Sequence, residues 1–128
     1  MRSKTILLIE DNEQNRYLAT FLLERAGFKV VSAPDGPLGI AAARKSVPDL
    51  ILLDIQLPLM DGYAVAGALR DIPPLGKTPI VAVTSYAMVG DREKCLAAGC
   101  NGYLEKPINP ETFVAEIRTF LIPSSLAQ

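Results

Sequence analysis

The chain has 128 residues, 49% of them hydrophobic and 21% charged, which is the size and composition of one globular domain. Its 13 basic and 14 acidic residues give a net charge of −1, so nucleic-acid binding through charge alone is not expected. The chain contains no histidine, which excludes histidine metal ligands, histidine-based nucleophile activation and histidine phosphorylation within it. Any such histidine chemistry must come from a partner.

Short apolar runs indicate three strands, at 6–9, 50–53 and 80–83. The runs do not alternate polar with apolar residues, which is typical of strands buried on both faces in a parallel sheet. Two weaker strands are predicted at 28–32 and 102–104.

A first helix is predicted between the first two strands. It should begin after an N-cap at Asn12 and end at Gly27. Its apolar stripe is predicted to contain Leu18, Leu22 and Ala26, which recur every fourth residue.

The remaining helices are predicted at 36–46, 63–70, 92–98 and near the end of the chain. Pro110 is expected in the first turn of the last helix, where its missing N–H costs nothing. The apolar stripe of that helix is formed by Phe113, Val114, Ile117, Phe120 and Leu121.

This alternation of strands and helices predicts right-handed crossovers and a parallel sheet covered by helices on both faces. Five units are too few for an eight-stranded barrel. We therefore predict a doubly wound (βα)5 α/β fold with the flavodoxin-like strand order 2-1-3-4-5. One domain is expected over residues 1–122, followed by a disordered tail at 123–128.

The two cysteines, Cys95 and Cys100, are too few for a disulfide framework and predict free thiols in a reducing compartment. The run at 6–9 is too short for a signal peptide or for a membrane-spanning helix, which needs about 20 apolar residues. We therefore expect a cytoplasmic protein without membrane insertion.

Polar residues follow the strands at one edge of the predicted sheet. In such folds ligands bind outside the carboxyl ends of the strands, where the strand order reverses. The residues at that edge are Glu10 and Asp11 after the first strand, Asp54 after the third, Thr84 after the fourth and Lys106 beyond the fifth. Clustered carboxylates repel one another, so the arrangement predicts a divalent cation, and its oxygen ligands suit Mg²⁺.

A cation beside a carboxylate, a hydroxyl and an ammonium group favours phosphoryl transfer. Asp54 is the candidate nucleophile and would form an acyl phosphate. Lys106 and the Thr84 hydroxyl are the candidates to stabilise the remaining phosphoryl charge. No general base is needed, because an ordinary carboxylate is already ionised at pH 7.

Several motifs share a characteristic order and spacing. They are Ile9-Glu10-Asp11-Asn12, the run at 49–54 with Pro58 and Asp61-Gly62, Val83-Thr84, and the run at 102–107. Together they resemble the receiver domain of bacterial two-component response regulators. The resemblance covers the chain from residue 4 to about residue 121.

The resemblance implies a role for each site residue. It implies that Asp54 is the phosphoacceptor and that Lys106 contacts the phosphoryl group. It also implies that Thr84 and Tyr103 form a switch pair, in which the tyrosine moves between exposed and buried positions. The implied Mg²⁺ ligands are Glu10, Asp11, Asp54 and the backbone carbonyl of Gln56.

The resemblance further implies a phosphoryl donor, which is a histidine on a kinase or a phosphotransfer protein. The expected docking residues are Asn15, Leu18, Pro107 and Ile108, although the helical stripe makes Leu18 equally a core candidate. The segment 86–92 is similar to receivers of hybrid kinases and of DivK-like single-domain regulators. We expect no DNA-binding domain after the last predicted helix unless the chain is a fragment of a longer protein, so output is expected through a downstream protein target rather than through nucleic acid.

Two other functions compete with a signalling phosphoacceptor that catalyses only its own phosphorylation and dephosphorylation. A flavodoxin-like mononucleotide binder needs a phosphate-cradling loop after the first strand, but residues 10–13 there are mostly acidic. A Mg²⁺-dependent hydrolase working through an aspartyl phosphate usually has an acid/base carboxylate two residues after its nucleophile. Gln56 stands at that position.

Overall fold

The computed structural model describes residues 3–85 and 90–122, so the predictions for 86–89 and for the tail at 123–128 lie outside the described residues. The strands are Thr5–Ile9 (β1), Lys29–Ala33 (β2), Leu50–Asp54 (β3), Ile80–Thr84 (β4) and Gly102–Glu105 (β5). They form one sheet in the order β2-β1-β3-β4-β5, with every pairing parallel. The predicted fold class and strand order are confirmed.

Helices connect and follow these strands. They are Glu13–Arg25 (α1), Gly36–Lys45 (α2), Gly62–Arg70 (α3), Asp91–Ala98 (α4) and Phe113–Leu121 (α5). Local sequence explains where the first three begin, because a side-chain oxygen accepts the backbone N–H three residues later at each N-cap. These N-caps are Asn12, Asp35 and Asp61. No helix in the described part of the chain is long and apolar enough to cross a membrane.

The apolar stripe predicted for α1 is correct for Leu22, which packs partly buried against the core, and wrong for Leu18. The buried residues are Ala19 and Leu23, whereas Leu18 is 36% exposed. The small Ala19 faces the sheet, and Leu18 lies at the margin of the helix, where it lines a cavity with Ile108 and Phe113. Residue type alone did not distinguish a core leucine from a marginal one.

The predicted position of Pro110 in the first turn of α5 is also wrong. The helix begins at Phe113, and a separate turn precedes it. In that turn the side-chain oxygen of Asn109 accepts the N–H of Glu111, and its backbone oxygen accepts the N–H groups of Thr112 and Phe113. Asn109 therefore stabilises the turn that precedes α5.

Two apolar clusters cover the two faces of the sheet. Successive strand residues point to opposite faces, so each central strand contributes to both clusters. On β3, Ile51 and Leu53 pack on the face that carries α2, α3 and α4, whereas Leu50 and Leu52 pack on the face of α1 and α5. All five residues of β3 and of β4 are buried. The polar residues at the carboxyl ends of the strands are therefore held by a closely packed framework.

Candidate functional site

Buried polar side chains are concentrated at the carboxyl edge of the sheet. Of the four buried polar or charged residues in the described ranges, Glu10, Asp54 and Thr84 lie at this edge, and only Thr78 lies elsewhere. Each of the three is exposed by 4% or less. Burial of polar groups is costly unless they are paired, so this concentration indicates a functional site.

Three carboxylates meet where the strand order reverses. Asp54 ends β3, and Glu10 and Asp11 follow the neighbouring β1. One carboxylate oxygen from each residue lies within 4.8 Å of the others. Glu10 and Asp54 are buried, whereas Asp11 is exposed. The structure thus brings together the acidic cluster that the sequence predicted.

Lys106 joins two of these carboxylates. Its Nζ lies 3.0 Å from Oε1 of Glu10 and 2.9 Å from Oδ2 of Asp54. Its backbone N–H donates to the carbonyl oxygen of Thr84 at 2.8 Å, which fixes the loop after β5, and the Lys106–Pro107 bond is cis. The shared ammonium group partly offsets the repulsion between the two buried acids.

Burial dominates the electrostatics of Asp54. It raises the pKa of this carboxyl group, and the hydrogen bond and the charge of Glu10 raise it further, to about 7 against the opposing effect of Lys106. Burial lowers the pKa of Lys106, but its bonds to Asp54 and Glu10 outweigh burial and raise that pKa overall. With the protein's own groups alone, Asp54 is therefore a mixture of acid and carboxylate near neutral pH.

The donor set fits Mg²⁺. All three side chains offer carboxylate oxygens, which are the hard ligands that this ion prefers. A bound cation also favours the ionised form of Asp54, which burial and Glu10 disfavour. Gln56 lies beside the cluster, because its backbone N–H donates to Oδ1 of Asp54 at 2.9 Å. The predicted use of its carbonyl group as a ligand stays a prediction.

The side chain of Gln56 makes contacts that the sequence analysis missed. Its Nε2 donates to Oγ1 of Thr84 at 2.9 Å, and its Oε1 accepts the backbone N–H of Ser85 at 3.2 Å. Strand neighbourhood could have suggested these contacts, because Asp54 on β3 pairs with Val83 on β4. A glutamine two residues beyond the end of β3 can reach the end of β4.

Tyr103 and Thr84 lie on the neighbouring strands β5 and β4 and are offset by two residues in register. It pairs with Ala82, whereas Thr84 pairs with Glu105. The tyrosine is half-buried against the apolar cluster under α2, α3 and α4. Coupling between Thr84 and Tyr103 stays a prediction, and the register places the two side chains on the same face of the sheet as diagonal neighbours.

Comparison with known proteins agrees with this geometry. The sequence matches the protein-family model of the response regulator receiver domain over residues 6–118. This chain belongs to that family. The receiver is 39% identical over 119 residues to the polar-differentiation response regulator DivK of Brucella ovis, covering 93% of this chain and 97% of the relative.

Solved receiver structures have the same fold. Chemotaxis protein CheY4 of Vibrio cholerae is 30% identical with a TM-score of 0.91, over 94% of this chain and 100% of that chain. The receiver domain of sensor histidine kinase PA1611 from Pseudomonas aeruginosa is 34% identical with a TM-score of 0.86, over 94% and 98% of the two chains. The PA1611 structure contains a magnesium ion coordinated in its active-site cleft.

The four predicted docking residues of the receiver line one cavity. Its walls also include Glu10 and Lys106, so the cavity opens beside the carboxylate cluster. The docking residues in its lining are Asn15, Leu18, Pro107 and Ile108. Their proximity is established by the structure, and their role in docking stays a prediction.

Proposed function

We propose that this receiver accepts a phosphoryl group onto Asp54 from a histidine of a kinase or a phosphotransfer protein, in a Mg²⁺-dependent reaction that switches its protein contacts. One observation carries the proposal. The buried Asp54 carboxylate contacts the Lys106 ammonium group at 2.9 Å and shares a 4.8 Å cluster with two further acids. Membership of the receiver family and the magnesium ion of the PA1611 receiver support it.

The residues around Asp54 hold its carboxylate ready for attack. The N–H of Gln56 binds Oδ1 and the ammonium group of Lys106 binds Oδ2, so the carboxylate plane is fixed. A carboxylate oxygen of Asp54 attacks the phosphorus, and the bond from phosphorus to the donor histidine breaks with its electron pair returning to the imidazole nitrogen. Glu10, Asp11 and Asp54 would hold Mg²⁺, which would supply positive charge to offset the developing phosphoryl charge. Lys106 remains able to bind a phosphoryl oxygen.

Loss of the phosphoryl group is proposed to be self-hydrolysis of the acyl phosphate. Gln56 occupies the position where hydrolases of this chemistry carry an acid/base carboxylate, and its amide cannot transfer protons in that way. The receiver is therefore proposed to be a signalling phosphoacceptor that catalyses only its own phosphorylation and dephosphorylation. Its expected cytoplasmic location stays a prediction.

A small phosphodonor tests the proposal directly. We expect that acetyl phosphate with Mg²⁺ adds the mass of one phosphoryl group, and that Asp54→Asn removes this addition completely. Asp61→Asn is the matched control, because Asp61 is exposed and only caps α3, a role that asparagine retains. Intact-mass spectrometry with and without a metal chelator provides the measurement. The proposal is contradicted if Asp54→Asn is labelled as fully as the wild type, or if labelling of the wild type is unchanged when the chelator is added.

We further propose that the donor protein docks over the cavity beside the site. Leu18→Glu or Ile108→Glu should slow transfer of the phosphoryl group from a phosphorylated donor protein about tenfold or more. In the docked complex either substitution would bury a charge against the apolar surface of the donor. Labelling by acetyl phosphate should not change, because Asp54 is not among the residues that line this cavity. Tyr17→Glu is the matched control, since Tyr17 is 73% exposed and is not part of the cavity lining. Equal loss with both donors would instead indicate damage to the site.

A further inference from the structure

The Gln56 side chain links the two loops that flank the phosphoacceptor. Its backbone N–H binds Asp54, its Nε2 binds the Thr84 hydroxyl and its Oε1 binds the backbone N–H of Ser85. The carboxamide therefore connects the loop after β3 with the residues at the end of β4. No described side chain at this edge makes a comparable pair of bonds to β4.

The direction of the two bonds is fixed by chemistry. The N–H of Ser85 can only donate, so the carboxamide oxygen of Gln56 must face it. The carboxamide nitrogen then faces Thr84 and can only donate to its hydroxyl oxygen. The Thr84 hydroxyl is consequently an acceptor in this bond, and its own hydrogen points away from Gln56.

We propose that Gln56 is a positioning residue that holds Thr84 and Ser85 in the resting conformation, and thereby sets how readily phosphorylation is transmitted to β5. The inference rests on the proposed function. Movement of the Thr84 hydroxyl towards a phosphoryl group on Asp54 must lengthen its bond to Gln56 or draw the carboxamide along. The Thr84 hydroxyl can donate to a phosphoryl oxygen while it accepts from Gln56, so the carboxamide opposes the displacement of the hydroxyl rather than the new bond itself. The balance between the two conformations therefore depends on both phosphorylation and Gln56.

Removal of the carboxamide should shift that balance towards the active conformation. Gln56→Met keeps the length of the side chain and the backbone carbonyl but removes both bonds. We expect the equilibrium constant for the active conformation to rise about three- to tenfold, which is the effect of losing one or two ordinary hydrogen bonds. The three carboxylates of the cluster belong to other residues, and the variant keeps the backbone carbonyl that is the predicted fourth ligand.

Amide NMR spectra with beryllofluoride and Mg²⁺ as the phosphoryl mimic provide the test. The measured quantities are the resonance positions of 102–105 without the mimic and the midpoint of the beryllofluoride titration. In Gln56→Met the resonances should move part of the way to their bound positions, and the midpoint should fall by the same three- to tenfold factor. Gln14→Met is the matched control, because it makes the same chemical change on the exposed surface of α1.

A double-mutant cycle separates positioning from a general structural effect. If Gln56 acts through Thr84, the effect of Gln56→Met should be smaller in a Thr84→Ala background, where only the bond to the N–H of Ser85 is left to lose. An equal effect in both backgrounds, or no effect in either measurement, overturns the inference. If Gln56→Met does not fold, Gln56→Ala is read in the same way. A wild type that shows no response to beryllofluoride overturns the proposed function as well, which distinguishes the two failures.

Discussion

Lys106→Met should destabilise the receiver by about 2–4 kcal/mol at pH 8 in the absence of Mg²⁺, and Mg²⁺ should restore much of the loss. The lysine side chain is 15% exposed and lies 3.0 and 2.9 Å from two buried carboxylates. Breaking a buried ion pair by removing one partner costs about 3–5 kcal/mol. The loss is smaller here, because Lys106 holds the pKa of Asp54 down, and removal of the lysine raises this pKa above about 7 so that the group can take up a proton.

The same variant should show a characteristic pH dependence. The folded protein keeps the proton of Asp54 up to about pH 7, whereas the unfolded chain releases it near the ordinary value of 3.8. The free energy of unfolding therefore falls as pH rises between these two values. Lys106 lowers the pKa of Asp54, so its removal extends this fall to higher pH. The destabilisation should be greater at pH 8 than at pH 5.

Urea unfolding at pH 5 and pH 8, with and without Mg²⁺, measures both effects. Lys94→Met is the matched control, because Lys94 is exposed on α4 and its loss should change stability little. Equal free energies of unfolding for the two variants at pH 8 would show that the shared ammonium group contributes nothing to the stability of the cluster.

The sequence predicted those features that depend on patterns along one segment. The central strands were recognisable because burial on both faces requires an uninterrupted apolar run, as at 50–53. Strand–helix alternation then restricted the possible strand orders. Because ligands in such folds bind at the carboxyl ends of the strands, Glu10, Asp54 and Thr84 could be placed in one site from the sequence.

Features that depend on packing between distant segments were not predictable in this way. Leu18 and Ala19 are adjacent residues on α1. Which of them is buried depends on how the helix is rotated about its own axis when it packs on the sheet. The Gln56 carboxamide contacts residues 28 and 29 positions away, a distance that no local pattern encodes. The raised pKa of Asp54 likewise arises chiefly from burial, which differs even between the adjacent Glu10 and Asp11.

Gly62, the first residue of α3, packs closely against the backbone at the end of β3, where Asp54 lies. We expect Gly62→Ala to lower the free energy of unfolding by about 2–3 kcal/mol. A Cβ atom at Gly62 would lie 2.5 Å from Cα of Ile55 and 2.7 Å from the carbonyl oxygen of Asp54. These are backbone atoms that cannot rotate away. The N–H of Gly62 also donates to the carbonyl oxygen of Ile55 at 3.0 Å, so the helix cannot move off without losing that bond.

Gly67→Ala provides an internal control on the same helix and should raise the free energy of unfolding by about 0.5–1 kcal/mol. Apart from its chain neighbours and the backbone of its own helix, no atom of the described residues lies within 4 Å of a Cβ at Gly67, and alanine is the better residue in a helix interior. Thermal and urea unfolding should show that Gly62→Ala lowers the free energy of unfolding and that Gly67→Ala raises it. Because the clash at Gly62 involves Asp54 itself, acetyl phosphate labelling should be slowed in Gly62→Ala but not in Gly67→Ala under conditions where both are folded. Normal stability with normal labelling in Gly62→Ala would mean that the close packing of α3 on β3 does not position the phosphoacceptor.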